Sequence, residues 1–168
     1  LQLDSTISSP DDTITCTVTF TDNDAASISD SASITISNTA PAFDVAAAIS
    51  PSTGIYTGTE LTCSSTASDA DDGSITPIYE WTVGTNTVSS TDTYTVSAAD
   101  TNVGDSITCV ATATDSDGES VTSSDSVTVE NTDPVLSSIS ITPSSAYTDD
   151  TLTSDATVTD PDETLTVD

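Results

Sequence analysis

In the segment from Thr13 to Thr21, threonine occupies every odd position and an apolar residue occupies every even one. Successive side chains of a β-strand point to opposite faces, so this two-residue period indicates a strand with one buried and one exposed face. The same alternation recurs around Cys63, Trp81 and Cys109. No long stretch has the 3.6-residue period of an amphipathic helix. The sequence therefore predicts an all-β fold.

The chain also repeats itself at a spacing of 93 residues, the distance from Cys16 to Cys109. At this offset Asn38-Thr39 coincides with Asn131-Thr132. The other matching pairs are Ile14 with Ile107, Asp22 with Asp115, Asp24 with Asp117, Ile28 with Val121, Ile34 with Val127, Ile36 with Val129 and Pro41 with Pro134. Past the prolines, with small gaps, Tyr56 resembles Tyr147, Leu61 resembles Leu152, and Asp69 and Asp71 resemble Asp160 and Asp162. Self-similarity at a fixed spacing is typical of repeat architectures.

The offset divides the chain into the back part of one repeat (1–40), a complete repeat (41–133) and the front part of a third (134–168). In the complete repeat we expect seven strands, near 43–50, 57–68, 75–84, 86–91, 92–98, 105–114 and 120–130. Asp, Gly, Asn and Pro separate them, as turns require. Seven short antiparallel strands in one repeat predict a β-sandwich. Because both outer parts are incomplete, we expect further repeats beyond each end, or neighbouring molecules that complete them.

The chain has no lysine, arginine or histidine but 28 carboxylates, which gives a formal net charge of −28. This composition excludes side-chain salt bridges, histidine-based triads, histidine-ligated zinc and basic phosphate clamps. A hydrolase with paired carboxylates stays formally open, but no pair is singled out, and we expect no catalytic residue. Nucleic acid is a poor partner for this chain and is not expected, because its binding requires positive charge. No apolar run approaches the ~20 residues of a membrane span, so membrane insertion is not expected.

Cys63, Trp81 and Cys109 follow one another on inward-facing positions of the second, third and sixth predicted strands of the complete repeat. This order resembles the immunoglobulin-like superfamily, in which an inter-sheet disulfide packs against a tryptophan. The resemblance implies a Cys63–Cys109 disulfide with Trp81 in the core; two free buried thiols are the alternative. Cys16 corresponds to Cys109, so its partner would lie outside this sequence.

The Tyr79-x-Trp81 strand and the joint from Asn131 to Pro134 are also similar to polycystic-kidney-disease-type and cadherin-like repeats of large bacterial or archaeal surface proteins. That resemblance implies an extracellular or cell-surface location, which agrees with a disulfide in an oxidising compartment.

Acidic Asp-x-Asp elements follow the predicted strands. Calcium takes six to eight oxygen ligands, and such loops offer several from one turn. Cadherin-like repeats use an Asp-Ala-Asp element and an acidic joint for calcium, so the resemblance implies a calcium site. The candidate ligands are Asp22, Asp24, Asp69, Asp71, Asp72, Asp115, Asp117, Glu119, Asp160 and Asp162, with Glu130 or Asp133 from the joint. The alternative is that these residues are ordinary solvated turn residues.

These features together predict a structural extracellular protein that self-associates into a fibre, stalk or sheath. A calcium-dependent adhesin, or the spacer repeats of one, is the alternative, and its ligand would be a protein or a glycan. A passive spacer within a secreted enzyme is a third interpretation.

Overall fold

A computed structural model of the chain describes residues 2–3 and 6–163, and within them the structure consists of strands without any helix. The predicted divisions 1–40 and 134–168 therefore each include a few residues outside the described part. The strands are β1 (Thr13–Thr21), β2 (Ser27–Thr35), β3 (Ala42–Ser50), β4 (Glu60–Asp69), β5 (Gly73–Ile75), β6 (Ile78–Val83), β7 (Asn86–Ser89), β8 (Thr93–Thr95), β9 (Ser106–Thr114), β10 (Ser120–Thr128), β11 (Val135–Thr142) and β12 (Thr153–Thr159). The all-β prediction is confirmed. None of the described segments is a helix able to cross a bilayer.

Within the described residues, the strands form four sheets. In the middle of the chain, one sheet has the order β10-β9-β6-β7, and a second has the order β3-β4-β5 with β8 paired to β4. A disulfide between Cys63 of β4 and Cys109 of β9 joins these two sheets. The result is a β-sandwich-like arrangement, and the predicted pairing of the two cysteines is confirmed.

Two further sheets are antiparallel hairpins, β1–β2 and β11–β12. In β1–β2 the register pairs Thr13 with Thr35 and continues without interruption to Thr21 with Ser27. On one face the Thr and Ser hydroxyls bond across the strands, as in the 2.8 Å contact between Thr15 Oγ1 and Ser33 Oγ. The other face carries the apolar residues, as the alternation in the sequence predicts, but the predicted burial of that face is wrong, because most of its side chains are exposed.

The strand predicted at 75–84 is in fact two strands that belong to different sheets. The first, β5, pairs with β4, whereas β6 pairs with β7 in the opposite sheet. Pro77 lies between them. Proline has no N–H to give to a ladder and its φ is fixed, so it interrupts pairing where the chain passes from one sheet to the other.

The chain forms two compact units. The first comprises Leu1–Ala46, Ser65–Ile78 and Ala111–Ser123, and the second comprises Ala47–Ser64, Tyr79–Val110 and Ser124–Asp168. In the second unit, Trp81 is fully buried with the disulfide, its ring centroid 6.0 Å from that of Tyr94. Its Nε1–H donates to the carbonyl oxygen of Thr91 at 3.0 Å, which satisfies the buried donor. The core of the first unit includes the small residues Ala67, Ala111 and Ala113.

Candidate functional site

Two carboxylate clusters accept hydrogen bonds from the linkers before β3 and before β11. In the first, both Asn38 and Thr39 donate to aspartates. In the second only Thr132 does so, because Asn131 Nδ2 donates to the Thr132 carbonyl oxygen. The first joint consists of Asn38, Thr39, Asp69, Asp71, Asp72 and Asp115, all in the first unit. The second joint consists of Thr57, Asn131, Thr132, Asp160 and Asp162, all in the second unit.

The first joint is built on the turn that ends β4. Asp69 Oδ1 accepts from the backbone N–H groups of Asp71 at 2.6 Å and Asp72 at 3.1 Å. An aspartate that accepts from the backbone two residues on is a common turn-former. The turn presents the Asp71 carboxylate to the linker, where Oδ2 accepts from the backbone N–H of Thr39 at 2.9 Å.

Asp115, directly after β9, holds the linker at a second point. Its Oδ2 accepts from Asn38 Nδ2 at 2.9 Å, and its Oδ1 accepts from the backbone N–H of Glu119 at 2.7 Å. The Asn38 hydrogen bond is the largest of the effects that lower the pKa of Asp115 below its ordinary value of 3.8; backbone N–H groups add to it. Asp115 is buried and stays ionised because these donors stabilise the charged form.

The two acidic turns of the first joint are also bonded to each other. Asp72 Oδ2 accepts from the backbone N–H of Ser116 at 2.7 Å, and Asp72 Oδ1 accepts from the Ser116 hydroxyl at 2.9 Å. The neighbouring Asp117 gains no such compensation. Partial desolvation of its carboxyl group, and then the negative charges of Asp115 and Asp72, raise its pKa above 3.8, although the residue is exposed. The joint therefore concentrates negative charge at the position of Asp117.

Two oxygen atoms of the first joint are buried and lack a hydrogen-bond partner: Asp69 Oδ2 and Asn38 Oδ1. Asp69 is only 8% exposed. A buried carboxylate oxygen without a donor carries a desolvation cost that a cation or an ordered water would remove.

The second joint repeats two contacts of the first, the aspartate turn and its bond to the linker threonine, but not the bond from the linker asparagine to an aspartate. Asp160 Oδ1 accepts from the backbone N–H of Asp162 at 2.8 Å, as Asp69 does from Asp71. Asp162 Oδ2 accepts from the backbone N–H of Thr132 at 2.6 Å, as Asp71 does from Thr39. Here Asp162 Oδ1 also accepts from the Thr57 hydroxyl at 2.6 Å, and this bond is the main reason why the pKa of Asp162 is lowered. We call this arrangement, an aspartate turn that binds the N–H of the linker threonine, the clasp.

The remaining predicted ligands lie elsewhere. Asp22 and Asp24 lie in the β1–β2 turn, where Asp22 Oδ1 accepts from the backbone N–H of Asp24 and of Ala26. Glu130 belongs to the second unit and accepts from the Gly54 N–H at 2.8 Å. The charge of Glu130 is the largest effect that raises the pKa of Tyr56, and the charge of Asp133 adds to it. Among the described residues, no three carboxylate, Cys or His side chains are arranged as a metal-binding group.

Sequence reasoning missed the role of Asn38, Thr39 and Thr57. The signal for the first two was present, because Asn38-Thr39 recurs as Asn131-Thr132 at the end of the repeat. No pattern marks Thr57, which bonds to Asp162 over 105 positions of sequence.

No protein-family model matches the chain, and no curated protein matches it.

Proposed function

We propose that the chain is a stretch of tandem immunoglobulin-like β-sandwich repeats of about 93 residues, in an extracellular or cell-surface fibre, stalk or sheath. The observation that carries the proposal is the recurrence of the clasp. Thr39 N–H to Asp71 and Thr132 N–H to Asp162 are the same contact, one repeat apart. A mechanical protein needs each joint to be built alike, since the weakest joint limits the stiffness of the whole.

The clasp restricts the linker at a place where its sequence already limits bending. Thr39 and Thr132 precede Pro41 and Pro134 by two residues, and a proline fixes its own φ near −65°. A backbone N–H held by a carboxylate removes further freedom from the same segment, because charge-assisted hydrogen bonds are the stronger ones. Short, pinned linkers favour a semi-rigid string over a freely jointed one.

The charge of the chain supports an extracellular, salt-rich setting. With a net charge of −28 and no basic side chain, compensation must come from dissolved ions. The Debye length is about 8 Å at 0.15 M ionic strength. Carboxylates within one turn lie closer together than this, so they repel each other unless the salt concentration is higher or a cation binds between them. The Cys63–Cys109 disulfide favours an oxidising compartment.

We also propose that calcium binds at the first joint. The orphaned oxygens Asp69 Oδ2 and Asn38 Oδ1 have the oxygen chemistry that calcium prefers, and they are close to a concentration of negative charge. Asp69 and Asn38 would hold the ion, together with water molecules that complete its six to eight ligands. The ion would neutralise the carboxylates and stiffen the joint, while the clasp hydrogen bonds orient the turn.

The same oxygens favour the second candidate function, a calcium-dependent adhesin or its spacer repeats. In that case the repeats would present a protein-binding or glycan-binding module at a distance from the cell, and calcium would set the stiffness of the spacer.

Electron microscopy of the native secreted material tests the main proposal. We expect elongated particles or filaments with a regular repeat along their axis. Discrete globular particles at all concentrations would overturn it. Elongated particles that end in a distinct head would favour the adhesin.

A further inference from the structure

The apolar face of the β1–β2 hairpin is an exposed surface whose counterpart in the same chain is covered. On this face lie Val18, Phe20, Ile28 and Ile34, each about half exposed or more, and Phe20 is 70% exposed. Asp30, which pairs with Val18, is the carboxylate on the same face. Soluble proteins rarely leave contiguous apolar patches of this kind open to water unless they bind a partner.

The counterpart is the β9–β10 pair. Strand β1 at an offset of 93 residues coincides with β9, and β2 coincides with β10, with identical lengths and no gap. At the matched positions Ile14 becomes Ile107, Cys16 becomes Cys109 and Ile34 becomes Val127. In β9–β10 these three residues are buried.

Cys16 indicates what kind of segment covers this face. Cys109 is bonded to Cys63 of β4, in the opposite sheet, whereas Cys16 is exposed and free. Cys16 thus stands at the position from which β9 forms its inter-sheet bond.

We infer that the apolar face of β1–β2 is a docking surface for a strand pair with the side-chain pattern of β3–β4, and that this pair carries a cysteine bonded to Cys16. The inference extends the repeat organisation proposed above but is independent of whether the repeats form a fibre or an adhesin. The β11–β12 hairpin of a second copy fits less well, because Ser154 stands where β4 has Cys63 and supplies no thiol.

The docked partner is not an unchanged copy of β3–β4. Val18 and Phe20 stand where β9 has Ala111 and Ala113, both of which are fully buried. Cores tolerate a larger side chain only when its neighbours are smaller, so we expect the partner to carry smaller residues at that end.

The bond forms by thiol–disulfide exchange. The two thiols lose two protons and two electrons, a low-molecular-weight disulfide such as glutathione disulfide is reduced to two thiols, and one S–S bond joins the cysteines.

The test supplies the missing strand pair from the chain itself. A copy of residues 41–93 is fused ahead of residue 1 of the full chain, because residue 1 corresponds to residue 94 at the repeat offset. After refolding with glutathione disulfide, free thiols are counted and disulfides are mapped by mass spectrometry after digestion with an Asp- or Glu-specific protease, since no Lys or Arg is available for trypsin. We expect the one free thiol of the unfused chain to disappear and Cys16 to be bonded to the added cysteine.

Two variants keep the test decisive. In a second fusion, Val18→Ala with Phe20→Ala makes the face match β9, so that overpacking at that end cannot prevent docking. In a control fusion the added cysteine is replaced by serine, and Cys16 must then stay free. A reactive Cys16 in both of the first two fusions would overturn the inference.

The unfused chain gives a separate contrary result. If it forms a stable oligomer in which Cys16 and the apolar face are protected from alkylation and hydrogen exchange, the occupant is a second copy and the inference is wrong. Neither result bears on whether the native protein is a fibre, which microscopy decides.

Discussion

Asn38 donates its side-chain N–H to Asp115 Oδ2 across 2.9 Å and joins two residues that lie 77 positions apart. The contact links the linker before β3 to the turn after β9. It also shows how buried carboxylates are stabilised in a chain without basic side chains. Amide and hydroxyl groups donate the hydrogen bonds that lysine and arginine donate in other proteins. The donor lowers the pKa of Asp115, and we expect it to stabilise the joint as well.

Replacing the donor should be visible in the acidity of its acceptor. In Asn38→Ala we expect the pKa of Asp115 to rise towards or above 3.8, since the Asn38 hydrogen bond is the largest effect that lowers it. The melting temperature at pH 7 should fall, because a group with a lowered folded pKa contributes stability above its unfolded pKa and loses it as the pH falls through the folded value. Carboxylate titration by NMR measures the pKa. The control is Asn86→Ala at an exposed site. If both variants shift the pKa of Asp115 equally, the role of Asn38 is contradicted.

Asp117 should behave in the opposite sense. Its pKa is raised by partial desolvation and by neighbouring carboxylates, so its stabilising contribution is complete below the unfolded pKa and is lost as the pH rises through the folded pKa. We expect Asp117→Asn to raise the melting temperature at pH 7 and to have no effect below about pH 3.8, the ordinary value. Asp149→Asn, which removes the same charge from an exposed position, is the control. If the melting temperatures of the two variants rise equally at pH 7, the role of Asp117 is contradicted.

The disulfide should supply a large share of the stability of the chain. Cys63 and Cys109 are separated by 46 positions, and closing such a loop is worth about 4 kcal/mol in the chain-entropy model. We expect Cys63→Ala with Cys109→Ala to lower the free energy of unfolding by roughly that amount in urea titrations. Cys16→Ser, at an exposed thiol, should change nothing. If the free energy of unfolding falls no further in the double variant than in Cys16→Ser, the disulfide does not stabilise the chain.

Calcium should stabilise the first joint if the orphaned oxygens bind it. At matched ionic strength we expect added calcium to raise the melting temperature, and a concentration about 100-fold above Kd would contribute about 2.7 kcal/mol. Asp69→Asn should abolish the increase, whereas Asp149→Asn should retain it. A melting temperature that calcium and chelator leave unchanged would remove calcium from the account.

The sequence was sufficient for the parts of the fold that depend on local pattern. The Thr13–Thr21 alternation predicts β1 to the residue, and the order of Cys63, Trp81 and Cys109 anticipated the disulfide against a buried ring. The break at Pro77 was missed, because alternation continues on both sides of it and period alone does not reveal a change of sheet.

The joints were only partly predictable. The repeated acidic turns at Asp69-Ala70-Asp71 and Asp160-Pro161-Asp162 were identified, but not the donors that hold them. Asn38 and Thr57 reach their acceptors only after loops far apart in sequence have been placed by the folded strands. Such contacts depend on tertiary geometry, which no local pattern encodes.

Small-angle X-ray scattering of the full chain and of a clasp variant decides whether the clasps stiffen the joints. The variant combines Asp71→Ala with Asp162→Ala and removes both acceptors of the linker N–H groups. The control combines Asp24→Ala with Asp149→Ala, which removes the same charge from exposed sites. If the clasps stiffen the joints, the clasp variant should keep its β-sheet circular dichroism while its scattering shows a broader distribution of dimensions than that of the control. Identical scattering from the clasp variant, the control and the unaltered chain would contradict it.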